Sequence, residues 1–173
     1  GVELHGAHGY LLCQFLSATL NQRKDHWGGS LANRARFIRR CLQAARAAVG
    51  DQFRVGVRLS PAYYTGLDGL DLAERLQHAQ WLFEAGAASF HISLWNAQVN
   101  IKKRPNSHPA RLFRDAIPLE VPVITAGNIW TVEDAEIQLD YGADAVALGR
   151  AAIVNPDWPH SVVLRAEEPQ RFP

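Results

Sequence analysis

Methionine is missing from this chain altogether, and cysteine occurs only twice, at Cys13 and Cys41. Two cysteines cannot build a disulfide framework and these lack zinc-ligand spacing, so a reducing, cytoplasmic setting is the simplest expectation. No apolar run approaches the roughly 18–20 residues of a membrane-spanning helix. No N-terminal signal peptide is visible. An excess of one charge is lacking too: 18 Lys+Arg stand against 17 Asp+Glu, a net charge of +1. That balance argues against a nucleic-acid partner and against a polybasic membrane binder. There is no low-complexity run, fixed-length repeat or interdomain linker. The absence of Met, with an opening Gly1–His5 that reads as a strand already under way, leads us to expect a piece of something longer.

What is there suits one domain: 173 residues, 47% of them hydrophobic, can bury a sizeable core. Apolar, β-rich runs alternate with helical periods. Strands are expected at Gly1–His5, Phe53–Leu59, Ala88–Leu94, Val121–Thr125 and Ala145–Leu148. A polar loop is expected after the first. A helix follows Ser30, a natural N-cap, and closes at Gly50. Further helices are expected around Leu70–Glu84, Ala110–Ala116 and from Thr131 to Tyr141, with long loops through Gly66 and over Trp95–Pro109. Alternation of this kind implies βαβ units and a parallel sheet, with apolar strands buried on both faces. Five strands are too few to close an eight-stranded barrel. Periodicity therefore leaves an open doubly wound sheet and a piece of a barrel both standing.

The densest chemistry is His5-Gly6-Ala7-His8-Gly9-Tyr10, at the C-terminal end of the first strand. Substrate sites of parallel α/β folds collect at that end. Gly6 and Gly9 permit a tight turn that brings two imidazoles and a phenol together. Neutral imidazole N–H groups polarise a carbonyl oxygen, and a phenol delivers a proton. The plainer alternative is one imidazole on backbone and Tyr10 as a core aromatic. No third ligand stands nearby, which disfavours a metal. A second constellation is Gly127-Asn128 after the fourth strand and Gly149-Arg150 after the fifth. Strand-end glycines let backbone N–H groups approach an anion, and Arg150 adds a phosphate contact. Two ordinary turns and a surface Arg are the alternative. Arg58 lies inside the apolar strand Val55–Leu59 and needs an anionic or acceptor partner. A flavin N1/O2 edge and an intramolecular ion pair both qualify. The segment from Asn21 to Gly29, with Asn33, Arg34 and Arg36 beyond it, reads as a loop tied by side-chain bonds. Cys13 and Cys41 read as core residues, and His91 as a satisfied core histidine. Trp95 is a candidate pocket wall.

The string from His5 through Tyr10 to Gln14-Phe15-Leu16-Ser17 resembles the Old Yellow Enzyme family of NADH:flavin oxidoreductases. So do Asn21-x-Arg23-x-Asp25-x-Trp27-Gly28-Gly29-Ser30, Asn33-Arg34-x-Arg36-Phe37, Val57-Arg58-Leu59-Ser60, Ile124-Thr125-Ala126-Gly127, Ala147-Leu148-Gly149-Arg150 and Asn155-Pro156. These motifs stand in family order over essentially the whole chain. The resemblance implies an FMN-dependent (β/α)₈ barrel that reduces activated alkenes, enones and nitroalkenes, with NAD(P)H. Residues 1–173 would be a single FMN-binding barrel domain, incomplete: an α/β TIM-barrel type holding about the last five strands. The first three strands would be missing, and with them the flavin contacts near N5 and O4.

By matching positions, His5 and His8 would bind the substrate oxygen, Tyr10 would protonate Cα, and hydride would pass from FMN N5 to Cβ. Arg58 would meet the flavin N1/O2 edge, and Gly127, Asn128, Gly149 and Arg150 would hold the phosphate. Asn128 stands where the family commonly has a second Gly, Trp27 replaces a usual Tyr, and Ala18 a usual Pro. No cysteine follows Cys41, so the iron–sulfur motif of larger relatives has no counterpart. The expected partner is a small activated alkene. A homo-oligomer and pairing with the N-terminal part are both left open. A non-catalytic half-barrel and a different phosphate-binding barrel enzyme are the alternatives. The latter has no use for His5, His8, Tyr10 and Arg58 together.

Overall fold

The computed structural model describes residues 1–61, 71–98 and 108–172. Five strands, β1 (Val2–Gly6), β2 (Val55–Leu59), β3 (Phe90–Ser93), β4 (Val123–Ala126) and β5 (Ala145–Ala147), form one parallel sheet in the order β1-β2-β3-β4-β5. Each strand lies beside its neighbour in sequence. A doubly wound sheet reverses its order at a switch point, whereas an unbroken order is that of a barrel wall. The choice that periodicity left open is thereby made: the fold is an incomplete α/β barrel. Among the described residues β1 and β5 each pair on one side only.

The helices are α1 (Leu11–Leu16), α2 (Leu31–Val49), α3 (Leu72–Glu84), α4 (Pro109–Ala116), α5 (Val132–Asp140) and α6 (Arg150–Val154), followed by a wide helical segment at Pro159–Leu164. Side chains set where they start. Ser30 accepts from the Asn33 N–H ahead of α2, and Asp71 accepts from Ala73 and Glu74 ahead of α3. His108 accepts from Ala110 ahead of α4, and Thr131 and Asp134 form a reciprocal capping box on α5. The helix expected from Leu70 starts at Leu72 because Asp71 caps it. The polar loop expected after β1 instead contains α1, whose six residues are too few to display a helical period. Strands two to five are shorter than their apolar runs. The loop expected through Gly66 and most of that over 95–109 lie outside the described residues.

Side chains alternate across a strand. One face of the sheet presents Val55, Val57, Leu59, Phe90, Ile92 and Val123 to Ile38 and Leu42 of α2, Leu82 of α3 and Phe113 of α4. The other presents Glu3, His5, Arg58, His91 and Ser93, with His5 opposite Arg58 and Arg58 opposite His91. The expectation of apolar burial on both faces is therefore corrected: over β1 to β3 the inner face is polar, and only over β4 and β5 does it carry the apolar Ile124, Ala126, Ala145 and Ala147. The loop from Asn21 to Gly29 is tied as its composition suggests, with help from Arg34 on α2. Asn21 donates to the carbonyls of Phe15 and Trp27 at 2.8 and 2.7 Å. Arg34 donates to Leu16 and Gly29 carbonyls and pairs with Glu74 at 2.6 Å. Cys13 is buried and Cys41 half-buried, both as free thiols.

His78 on α3 is buried beside Arg75 and Trp81. Burial, then the Arg75 and Arg34 charges, pushes its pKa down from 6.5 to about 3. Above pH 6.5 it is neutral in folded and unfolded chains alike. Between 6.5 and about 3 only the unfolded chain takes up its proton, so stability falls as the pH falls through that window. The expected slope from this one residue is at most about 1.4 kcal/mol per pH unit. Urea unfolding at stepped pH should show it, and His78→Gln should flatten it.

Candidate active site

The C-terminal ends of the strands open onto a cleft of about 610 Å³, with His8, Tyr10, Arg58, Ser93, Gly127 and Arg150 in its wall. β1 runs into Gly6, where a Cβ would lie 2.7 Å from Ile38 Cδ1 and 3.0 Å from the Arg58 carbonyl oxygen. The chain then turns through His8 and Gly9, both at positive φ (57° and 74°). A histidine in the left-handed region is uncommon and persists where its surroundings fix it. Here the His8 N–H donates to Ser60 Oγ at 3.1 Å, and the ring Nε2 lies 2.7 Å from Ser93 Oγ. The turn brings all three expected residues together. The His5 ring lies 5.3 Å from both the His8 and the Tyr10 ring. Tyr10 is 63% exposed, so it is no core aromatic.

Burial and the nearby Arg58 charge hold the pKa of both His5 and His8 below 6.5, so both imidazoles are neutral at pH 7. Arg58 donates from Nη2 to Ser93 Oγ at 2.7 Å. Its buried Nε has no partner, and no carboxylate pairs with it among the described residues. Among the described residues, the ion pair expected as one alternative for Arg58 is thus not formed. His91 differs from its expected role as a satisfied core residue. Its Nδ1 meets Glu3 Oε2 at 3.0 Å, but its buried Nε2 has no partner among the described residues and the ring lines the cleft. Burial lowers the His91 pKa, partly opposed by Glu3.

Gly127 and Asn128 leave β4 at φ 139° and 53°. A Cβ on Gly127 would lie 2.4 Å from the Leu94 carbonyl oxygen, so the glycine is required by backbone packing. Asn tolerates the left-handed conformation better than most residues. Its Oδ1 accepts from Trp130 Nε1 at 3.0 Å and from Arg150 Nη2 at 3.3 Å. Arg150 lies 5.6 Å above the exposed Trp95 ring. Gly149 is different again: a Cβ there would meet nothing within 4 Å. These residues form one concave, cationic rim with open space over Gly149. Among the described residues no group of three or more His, Cys, Asp or Glu side chains is placed to hold a metal ion, and no helix is long and apolar enough to cross a membrane.

Reading the sequence alone misses Ser60, Ser93 and Trp130 as parts of this wall, and Glu3 as the partner of His91 behind it. A signal for two of them exists. Glu3 lies two residues from His5, and Ser93 two from His91, on the same faces of otherwise apolar strands. Nothing local marks Trp130, which reaches the site by closing on Asn128.

A family model described as the NADH:flavin oxidoreductase / NADH oxidase family matches residues 1–167. Over 168 residues the chain is 38% identical to an NADH:fumarate oxidoreductase of Klebsiella pneumoniae (strain 342), covering 91% of this chain and 18% of that protein. It is 36% identical over 168 residues to chanoclavine-I aldehyde reductase of Penicillium roqueforti (strain FM164), covering 92% of this chain and 44% of that one. Its fold superposes on a structure of morphinone reductase in complex with tetrahydroNAD with a TM-score of 0.81 and 32% identity, covering 99% of this chain and 45% of that one. The chain thus spans less than half the length of these relatives. Its unbroken strand order, its histidine–tyrosine turn and this match over residues 1–167 agree: the chain belongs to the NADH:flavin oxidoreductase / NADH oxidase family.

Proposed function

We propose that this chain supplies the C-terminal part of an FMN-dependent reductase of activated alkenes, with NAD(P)H as electron donor. One observation carries the reading. The cleft has Arg58, with a buried unpartnered Nε and no counter-ion among the described residues, in one part of its wall, and the open Gly149–Arg150 rim in another. A flavin ring with a phosphate tail matches that pair: an electron-rich edge for the guanidinium and a dianion for the rim. Arg58 would hold the N1/O2 edge, and Gly127, Asn128, Gly149 and Arg150 the phosphate. When bound, FMN supplies the hydride that reaches the alkene Cβ.

The chain's own residues do the rest. His5 and His8, kept neutral by burial and Arg58, donate N–H groups to the carbonyl or nitro oxygen. Those donors stabilise the negative charge that grows on that oxygen during reduction. Tyr10, exposed beside His5, gives its hydroxyl proton to Cα. Among the described residues β1 and β5 pair on one side only, so further strands between them would complete the barrel wall.

With FMN in excess and oxygen excluded, NADPH should bleach the flavin absorbance, and 2-cyclohexenone should restore it, both faster than with free FMN. Bleached flavin that neither an enone nor a nitroalkene reoxidises above that background would overturn the reading.

A further inference from the structure

Counting hydrogens around Ser93 fixes more than its position. Ser93 is buried, and its Oγ lies 2.7 Å from both Arg58 Nη2 and His8 Nε2. A guanidinium has no acceptor atom, so Arg58 donates. The serine hydroxyl hydrogen is then left with one acceptor among the hydrogen bonds of the described residues, His8 Nε2. If Nε2 carried the proton instead, both neighbours would donate to Ser93 Oγ. The serine hydrogen would then be buried without an acceptor, an arrangement folded proteins avoid.

We propose that Ser93 is a positioning residue that sets the tautomer of His8. It accepts from Arg58, donates to His8 Nε2, and thereby places the single imidazole proton on Nδ1. That nitrogen makes no hydrogen bond among the described residues, and the ring lines the cleft. His8 therefore offers a donor, Nδ1–H, to whatever oxygen enters. Two further observations support a fixed ring. The backbone of His8 is in the left-handed region and is itself held by Ser60 Oγ. Its pKa is lowered by burial, Arg58, His5 and His91, which keeps the ring neutral so that a single tautomer has meaning. Ser60 and Ser93 lie at or just past the ends of β2 and β3, so two strands outside the histidine turn fix its backbone and its ring.

What oxygen His8 binds rests on the proposed function; which nitrogen carries the proton does not. The test is two-bond ¹H–¹⁵N correlation on the uniformly ¹⁵N-labelled chain near pH 7.5, without cofactor, with His8 assigned by its loss in His8→Gln. The wild-type chain should show His8 with a protonated Nδ1 and a lone-pair Nε2. Ser93→Ala should move His8 toward the Nε2–H form or an average of the two, while the other histidines keep their patterns. An Nε2–H pattern in the wild-type chain overturns the inference, and so does a Ser93→Ala spectrum unchanged at His8. Should Ser93→Ala not fold, the wild-type spectrum alone decides. Flavin uptake is scored on the same sample by absorbance. A colourless chain with Nδ1–H at His8 would count against the proposed function and leave this inference intact.

Discussion

Tyr10→Phe is expected to slow alkene reduction about 10²–10⁴-fold, the range for loss of a positioned proton donor. Bleaching of the flavin by NADPH should stay at the wild-type rate. The split follows from geometry. The Tyr10 ring packs 5.3 Å from His5, and phenylalanine keeps that contact. The backbone at Tyr10 is extended (φ −75°, ψ 175°), so the substitution is unstrained. The hydroxyl makes no hydrogen bond among the described residues, and the residue is 63% exposed. Its removal therefore costs the fold little and touches only the half-reaction that needs a proton at carbon. Stopped-flow measurement of the two half-reactions separates the outcomes. Equal slowing of both would place Tyr10 in the flavin or nicotinamide site, and no slowing of either would remove it from the chemistry.

The two strand-end glycines are expected to answer alanine in opposite ways. Gly127 sits at φ 139°, which L-residues rarely adopt, and its Cβ would lie 2.4 Å from the Leu94 carbonyl oxygen. That neighbour is backbone on β3's extension, whose own N–H is bonded to Ala126 at 2.8 Å, so it has little freedom to yield. Gly127→Ala should destabilise the chain by about 2–3 kcal/mol, the sum of backbone strain and overpacking. Gly149 has a negative φ (−103°) and nothing within 4 Å of the Cβ position. Gly149→Ala should change stability by less than about 1 kcal/mol, as for substitutions that meet no neighbour. Any defect it shows should be in ligand binding, because the space its methyl fills is the space over the rim. Urea titration of the two variants reads the first contrast. Similar stabilities would mean that Gly127 is not held against Leu94 as described.

Much of this was legible in the residues because several local rules agreed. Ser30, Thr131 and Gly50 mark helix ends through their own hydrogen bonds or backbone freedom, and the structure uses each there. The histidine turn was legible because Gly6 and Gly9 flank it. Strand order was not: β1 to β5 pair through contacts far apart in sequence, and the alternation of elements is the same for a barrel and a doubly wound sheet. The polar inner face was hidden for a related reason. Glu3, His5, His91 and Ser93 are single polar residues in apolar runs, and only the register shows that they share a face with Arg58. Ser93 gains its role from Arg58 on β2 and His8 beyond β1, 35 and 85 residues away in sequence. His91 was read as satisfied because nothing local shows its partners: the register brings Glu3 to Nδ1, while the buried Nε2 has no partner among the described residues.

Binding of a flavin through its phosphate is measured by titrating FMN and riboflavin separately against the chain and following tryptophan fluorescence. Trp95 and Trp130 line the cleft and report occupancy. FMN should bind at least about tenfold more tightly than riboflavin, a difference of about 1.4 kcal/mol. Gly149→Ala should shrink that ratio while leaving riboflavin binding nearly unchanged. Equal affinity for the two flavins, or quenching by neither, would mean that the Gly149–Arg150 rim holds no flavin phosphate.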